Sequence, residues 1–519
     1  MIHVSPQFKA VVIPQTPIIN NLFPGVPSLE DNGVTFSVLP HTEELTRFLR
    51  AEGVVVPAPI VSRYEWEGGK PYRVQMETAS MLTLQKRAYV LNGLGTGKTK
   101  SALWAWRYLN RENKVKKMLV ICPLSTMKFV WGAEIFRTLP GVKSVILHGS
   151  AERRRKLLAD TSADIYIINH HGLKIIEEDL AKRKDINVLC IDELSVYRNN
   201  SAISKTARRV ATQFSYVWGL TGQPTPNGPE NAWALAKVVR PDSAPRYFKE
   251  WRDEVMIRVS DFRYVPKKDA LDKVHNLLQP AVRFSLDDVV ELPDLVWRDV
   301  QVDMGPKQRL VYDAIEKEAH HAFATGEVNA VNAGAVLNKL LQISTGYVYL
   351  SDGTAVTLDA DERLDTCVDL IMGTDRKALV FAPFKHTLAG IADKLGKEGI
   401  DFVTVSGDTP KGKRDEAFHA FQNTSQYSVL AAHPNCLAHG LTLTAADTII
   451  WFGPILDFDI FDQANYRIRR IGQKHKQQIF MLQGSKVERK AYAGLMGKKS
   501  MNDVLLDMFE GTTEDVITQ

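Results

Sequence analysis

The 519-residue sequence predicts an α/β protein with two parallel sheets, helices between them and a small module in front. Three observations predict this. From Pro71 onward, short and nearly continuous apolar runs alternate with helical periodicity, the pattern of strands covered on both faces. That alternation breaks over residues 240–345 and resumes at Ala378. The chain is also too long for one ordinary core, so two or three domains are expected.

The elements follow in order. Residues 1–63 are proline-rich with short β-like runs such as Val34–Leu39, and form an accessory module whose role the sequence does not state. The first α/β domain is expected over 64–292. Its strands are Ala88–Leu91, Met118–Cys122, Ser144–His148, Asp164–Asn169, Val188–Asp192 and Tyr216–Leu220. Helices lie between them, such as Lys98–Leu109, with Ala102, Leu103, Trp106 and Leu109 on one face. A mostly helical protrusion follows over 240–290. Its stretch Arg240–Lys268 interleaves eight Arg and Lys residues with Tyr247, Phe248, Trp251, Phe262 and Tyr264. That composition fits DNA binding and the core of a helical protrusion equally. The second α/β domain is expected over 293–519, with strands Ala378–Phe381, Phe402–Val405, Ser428–Ala431, Thr448–Trp451 and Gln478–Leu482.

Composition narrows the class. Hydrophobic content of 45% and charged content of 24% fit a soluble globular protein. No apolar run approaches the ~18 residues that span a bilayer, so no membrane partner is expected. The N-terminus lacks the order of a secretory signal. Cys122, Cys190, Cys367 and Cys436 show no zinc-ligand spacing, which points to reduced thiols in a cytosol-like compartment. His170 and His171 lack a third ligand at suitable spacing. The net charge of +5 permits a nucleic-acid partner without requiring one.

NGLGTGKT, residues 92–99, follows an expected strand and opens an expected helix. In that context it reads as a phosphate-binding loop. Asn92, Gly93, Leu94, Gly95, Thr96 and Gly97 turn backbone N–H groups inward at the positive end of a helix dipole. Lys98 supplies a mobile charge for the outer phosphates, and Thr99 a hydroxyl for Mg2+. Asn92 stands where the usual pattern GxxxxGK[ST] begins with glycine. A glycine-rich turn capped by lysine is the plainer alternative. VLCIDELS, residues 188–195, supplies the acid such a site needs, at a strand end where ligands of parallel sheets collect. There Asp192 would hold Mg2+ and Glu193 would polarise the attacking water, unless the two are an ordinary exposed acid pair.

The order of motifs then carries a resemblance. KPYRVQ (70–75) precedes the loop. VICPLSTMKFVWGAEI (120–135), INHHGL (168–173), DELSVYRN (192–199) and LTGQPTPN (220–227) follow it. In the second domain come KALVFAPF (377–384), VSGDTPKGKRDEAFHAF (405–421), HGLTLTAAD (439–447) and QANYRIRRIGQ (463–473). The string, from about Lys70 to Lys499, resembles the Swi/Snf-type ATPases of helicase superfamily two, most of all compact phage- or bacterial-type members related to the annealing-helicase branch.

The resemblance implies two tandem RecA-like lobes with ATP bound between them, and Mg2+ as cofactor. It implies that Arg73, Gln75 and Gln463 contact the nucleotide. It makes Arg467 and Arg470 arginine fingers that share one helix face three residues apart, while Arg469 points elsewhere, and it makes the two arginines catalytic together with Lys98 and Glu193. It also places DNA contacts at Pro123, Lys128, Trp131, His170, Thr221, Gly222, Gly407, Arg414, His439, Gly440 and Thr442, on backbone phosphates without reading sequence. Departures are local. Ser195 replaces the family's histidine after the acid pair, Gln223 its usual threonine, and Leu437-Ala438-His439 its glycine-rich start.

The expected activity is an ATP-driven translocase on double-stranded or branched DNA. A strand-separating DNA or RNA helicase, and a nucleotide-gated DNA clamp with little turnover, are the alternatives. No protein partner is legible.

Overall fold

The structure, a computed structural model, describes residues 2–225, 228–260, 263–289, 292–324, 330–349, 354–437, 442–470 and 472–507. The chain divides into two compact units, the first running to Val289 and the second to Asn502.

The first unit holds a seven-stranded sheet, all of it parallel, in the order Ala281–Val282, Arg87–Val90, Tyr216–Leu220, Ile186–Asp192, Lys117–Cys122, Ile165–Asn169, Ser144–Ile146. The strands are apolar throughout because both faces are covered. Along one strand, Tyr89 packs into the core on one face, and Ala88 and Val90 into the core on the other. The expected strands all form, with ends shifted by one or two residues. Ala281–Val282 is an edge strand too short to leave a periodic signal.

Residues 240–290 are less helical than expected. An antiparallel hairpin, Met256–Ser260 with Arg263–Pro266, lies within them. Trp251 is buried and donates its indole N–H to the Pro229 carbonyl (3.2 Å), while Phe248 meets Trp233 edge-on. Both are therefore core residues, whereas Tyr247 stands exposed.

The accessory module is a four-stranded antiparallel sheet, ordered His3–Ser5, Ala10–Pro14, Val34–Pro40, Ser28–Asp31. It has a core of its own, including Val11, Ile13, Ile19, Leu39, Leu49 and Val56. The module packs on the helix Lys98–Arg111 and the turn after it. The Tyr108 hydroxyl donates to buried Glu43 (2.7 Å), Lys9 pairs with Glu112 (3.1 Å) and Lys114 with Glu43 (3.7 Å).

The second unit holds a six-stranded parallel sheet, in the order Leu295–Gln301, Gln477–Gln483, Ala446–Trp451, Lys377–Phe381, Val429–Ala432, Phe402–Val405. Leu295–Gln301, absent from the expected strands, is an edge strand. A buried ion pair ties this unit together. Arg363 binds both oxygens of Glu488 (2.8 and 2.9 Å), and Glu488 also accepts from the Gly484 and Ser485 amides. Among the described residues no helix is long and apolar enough to cross a membrane.

Candidate active site

The strand Arg87–Val90 runs straight into the glycine-rich loop, and the helix Lys98–Arg111 begins as that loop ends. Gly97 sits at φ +86°, a left-handed conformation that disfavours a side chain, and a Cβ there would also collide with the Gln75 amide. The Lys98 ammonium folds into the loop, donating to the carbonyls of Asn92 (2.7 Å) and Gly93 (2.9 Å). Thr96 closes the turn with its hydroxyl on the Gly93 carbonyl (2.9 Å). Thr99 follows, half-buried in the first helical turn. Backbone donors, a lysine and a hydroxyl thus converge at the positive end of a helix, which suits a polyphosphate.

Asn92 explains its own departure from glycine. It is buried, and its amide nitrogen donates to the Thr78 hydroxyl (2.8 Å) while its oxygen accepts from the Phe284 amide (3.0 Å). It clamps the start of the loop between a helix and the edge strand. Gln75 is turned inward, donating to the Thr96 carbonyl (3.2 Å) and accepting from the Tyr72 amide (3.2 Å). Reading adenine would require that amide to leave the loop. Arg73 is engaged with Glu77 (2.8 Å) and remains half open to solvent.

Asp192 ends the strand Ile186–Asp192, one strand away from the loop's own, with Tyr216–Leu220 between them. That middle strand continues into Thr221 and Gly222; a Cβ on Gly222 would lie 3.4 Å from the Asn92 carbonyl, so the two loops pack together. Burial pushes the Asp192 carboxyl up to about 6; the Trp131 hydrogen bond opposes the rise, Glu193 adds to it, and Lys98 counters it. A carboxylate held where its charge is costly favours a cation, and hard oxygen donors from Asp192 and Thr99 fit Mg2+. Glu193 adopts φ +60°, a conformation sparsely populated by non-glycine residues. Ser195, standing where a histidine was expected from the resemblance, donates to Glu193 (2.8 Å).

Three of the residues expected to contact DNA have buried side chains. Trp131 is fully buried and gives its indole N–H to Asp192 (2.8 Å). His170 is buried with Nδ1 against the Tyr197 hydroxyl (2.9 Å). The Thr221 side chain is buried and bonded locally to Gln223. None of the three side chains lies where a phosphate could reach it. Pro123 and Gly222 remain half-buried, and Lys128 is exposed.

In the second unit the helix Phe458–Asn465, which carries half-buried Gln463, stops before the arginines. Arg467–Arg470 therefore lie in a turn, and the shared helix face expected for Arg467 and Arg470 does not exist. Arg467 is 1% exposed, and its carbonyl accepts from the Leu443 amide (2.9 Å). Arg470 is half-buried; it donates to the Tyr466 carbonyl and, through NH1, to the Thr442 hydroxyl (both 3.1 Å). Burial lowers its guanidinium to about 10, which leaves it a cation at neutral pH. Gln473 pins the turn, donating to the Ala446 (2.9 Å) and Ile468 (3.2 Å) carbonyls. Gly407 is exposed, and Arg414 folds back on the Ser406 and Thr409 carbonyls. His439 and Gly440 lie outside the described residues.

A glycine-rich loop between strand and helix, an acid pair one strand away, and a second parallel sheet are the features of a P-loop fold with two sheets along one chain. Residues 84–345 match the SNF2-related domain, and residues 362–472 the helicase conserved C-terminal domain. The chain belongs to the SNF2-related family. It is 26% identical over 438 residues to the chromodomain-helicase-DNA-binding protein 1-like of Mus musculus, covering 80% of this chain and 47% of that protein. It is 26% identical over 425 residues to protein p41 of Acyrthosiphon pisum secondary endosymbiont phage 1, covering 76% of this chain and 88% of p41. The chain thus spans less than half of the mouse relative and nearly all of the phage one. The Sulfolobus solfataricus SWI2/SNF2 ATPase core in complex with double-stranded DNA aligns over 86% of this chain and 96% of its own at 21% identity, with a TM-score of 0.40. That likeness is too slight to bear on this chain's arrangement.

Proposed function

We propose that the protein is a DNA-dependent ATPase that moves along double-stranded or branched DNA, gripping the phosphate backbone without reading sequence. The observation that supports it most is one sheet edge that brings together the phosphate loop, Lys98, Asp192 and Glu193. Backbone N–H groups of residues 93–97 and the Lys98 ammonium hold the triphosphate tail. Asp192 and Thr99 hold Mg2+, which when bound neutralises phosphate charge and orients the terminal phosphoryl group. Glu193 accepts a proton from the attacking water, with Ser195 fixing the carboxylate. Arg470, half-buried and kept cationic, supplies guanidinium charge where negative charge develops, whereas Arg467, 1% exposed, would first have to be uncovered to join it. The name of the mouse relative, which includes helicase and DNA binding, fits this reading.

The test is ATP turnover measured in parallel with single-stranded DNA, duplex, branched DNA and RNA. The proposal expects stimulation by duplex or branched DNA, and triplex displacement without unwinding of a tailed duplex. Equal turnover with and without DNA at moderate salt would overturn it. Unwinding of the tailed duplex would make the protein a strand-separating helicase instead.

A further inference from the structure

Trp131 combines features that packing alone does not require. It is the fifth residue of a six-residue π-helix, Met127–Gly132, in which the Ala133 amide reaches back to the Lys128 carbonyl. Such widened turns are uncommon and gather at functional sites. The side chain is 0% exposed, and its one polar atom is spent on Asp192 Oδ2 at 2.8 Å. Indole N–H is a donor only, so it can hold a carboxylate in its ionised form without competing as an acceptor. The same short element faces solvent on its other side. Leu124 is 48% exposed, Phe129 43%, and Lys128 is exposed with its ammonium 5.2 Å from the Phe129 ring centroid. The turn leading in is closed by the Thr126 hydroxyl and amide on the Pro123 carbonyl (2.9 and 3.0 Å). The π-helix and the turn leading into it, residues 124–132, therefore touch solvent with a cation and two apolar side chains, and touch the acid of the nucleotide site with a buried indole.

We propose that Trp131 is a positioning residue: it orients the Asp192 carboxylate towards Mg2+, and the π-helix makes that orientation depend on whether a polyanion such as the DNA backbone is bound at Leu124–Phe129. This deepens the ATPase reading and rests on it. Asp192 has two oxygens. With Oδ2 held by the indole, Oδ1 is the oxygen presented to the metal; without that bond the carboxylate rotates about its Cβ–Cγ axis, and metal binding must fix it again. A backbone phosphate at Lys128 pulls on the π-helix and so moves the indole three residues along it. The element thus reports the track to the metal ligand without any domain movement.

The experiment is ADP binding by calorimetry with and without Mg2+, on the whole chain, beside Trp131→Phe and Trp131→His. Phe keeps an apolar ring and loses the donor; His restores one. In Trp131→Phe, metal-free ADP affinity should stay within about twofold, while the gain that Mg2+ brings should fall about 10- to 150-fold, one hydrogen bond to a charged group being worth roughly 1.5–3 kcal/mol at 1.4 kcal/mol for each factor of ten. Trp131→His should recover part of it. A Phe variant with an undiminished Mg2+ gain overturns the positioning role. In the unaltered protein, duplex should raise the Mg2+-dependent affinity for ADP. Should Trp131→Phe fail to fold, the surface pair Lys128→Ala/Phe129→Ala carries the test, because duplex must then lose that effect; an undiminished effect overturns the coupling. Absence of any duplex effect in the unaltered protein would instead sink the DNA-dependent reading, leaving the Mg2+ comparison standing.

Discussion

Replacing Asn92 with alanine tests the clamp at the start of the phosphate loop. The change deletes two buried hydrogen bonds, to the Thr78 hydroxyl and from the Phe284 amide. Each contributes about 0.5–1.5 kcal/mol net, and the Phe284 N–H, left buried without its acceptor, adds a penalty of roughly 1–3 kcal/mol. Thr78 suffers less, since its hydroxyl still donates to the Val74 carbonyl (2.7 Å). The Phe284 penalty already contains the loss of that bond, so the two are counted once and the total is roughly 2–4 kcal/mol, felt locally. The neighbouring backbone pairs, Leu91 to Val282 and Gly93 to Phe284, still hold the edge strand in register. Hydrogen exchange at the Phe284 amide is the direct assay. Local opening should quicken by about 30- to 1,000-fold, at 1.4 kcal/mol for each factor of ten. Exchange within about threefold of the unaltered protein would refute the clamp and leave Asn92 as a passive substitute for glycine.

Other outcomes follow from the same geometry. Glu193→Gln should keep ATP binding and slow turnover by about 10²–10⁴-fold, the usual worth of a positioned general base; unchanged single-turnover rates would remove Glu193 from that role. Arg363→Met should destabilise the second unit by about 3–5 kcal/mol by leaving Glu488 buried without its partner, read as a lowered urea midpoint for that unit's transition alone. His41 titrates against the accessory module. It is buried, Nε2–H donates to the Pro57 carbonyl (2.8 Å), and burial holds its imidazole below the ordinary 6.5. Below about pH 6.5 the unfolded chain takes up the proton first, so stability fully present above that pH is lost as pH falls through the folded value. Protease cutting within residues 1–63 should quicken from about pH 6.5 downward in the unaltered protein, and its pH dependence should flatten in His41→Gln.

Much of the fold is visible in the chain because strands buried on both faces leave continuous apolar runs. Edge strands escape this signal. Ala281–Val282 is too short, and Leu295–Gln301, half-exposed and carrying Arg298 and Asp299, reads as a linker. The nucleotide loop is legible because phosphate binding needs glycine, lysine and hydroxyl in one contiguous order. The contacts that tune the loop are not, since they join residues far apart in sequence: Asn92 with Phe284, Trp131 with Asp192, Gln473 with Ala446. Trp131 misled for a specific reason. A tryptophan in a polar segment after a strand looks like a surface contact, and only the fold shows that its indole turns inwards. The arginine turn misled for another. Arg467, Arg469 and Arg470 have helical spacing, but the helix ends at Asn465, whose side chain is taken by the Trp451 indole (2.8 Å).

The accessory module grips the distal end of the rod whose opposite tip cradles phosphate. Tyr108, Glu112 and Lys114 lie at or just beyond that distal end, and each is bonded to a residue before position 64. Cutting the chain at that boundary would strand the Tyr108 hydroxyl and strip cover from the tail of the rod. Shortened versions that begin there should be fragile in the helix that follows the glycine-rich loop, so an inactive truncation would report a damaged fold rather than a role for residues 1–63.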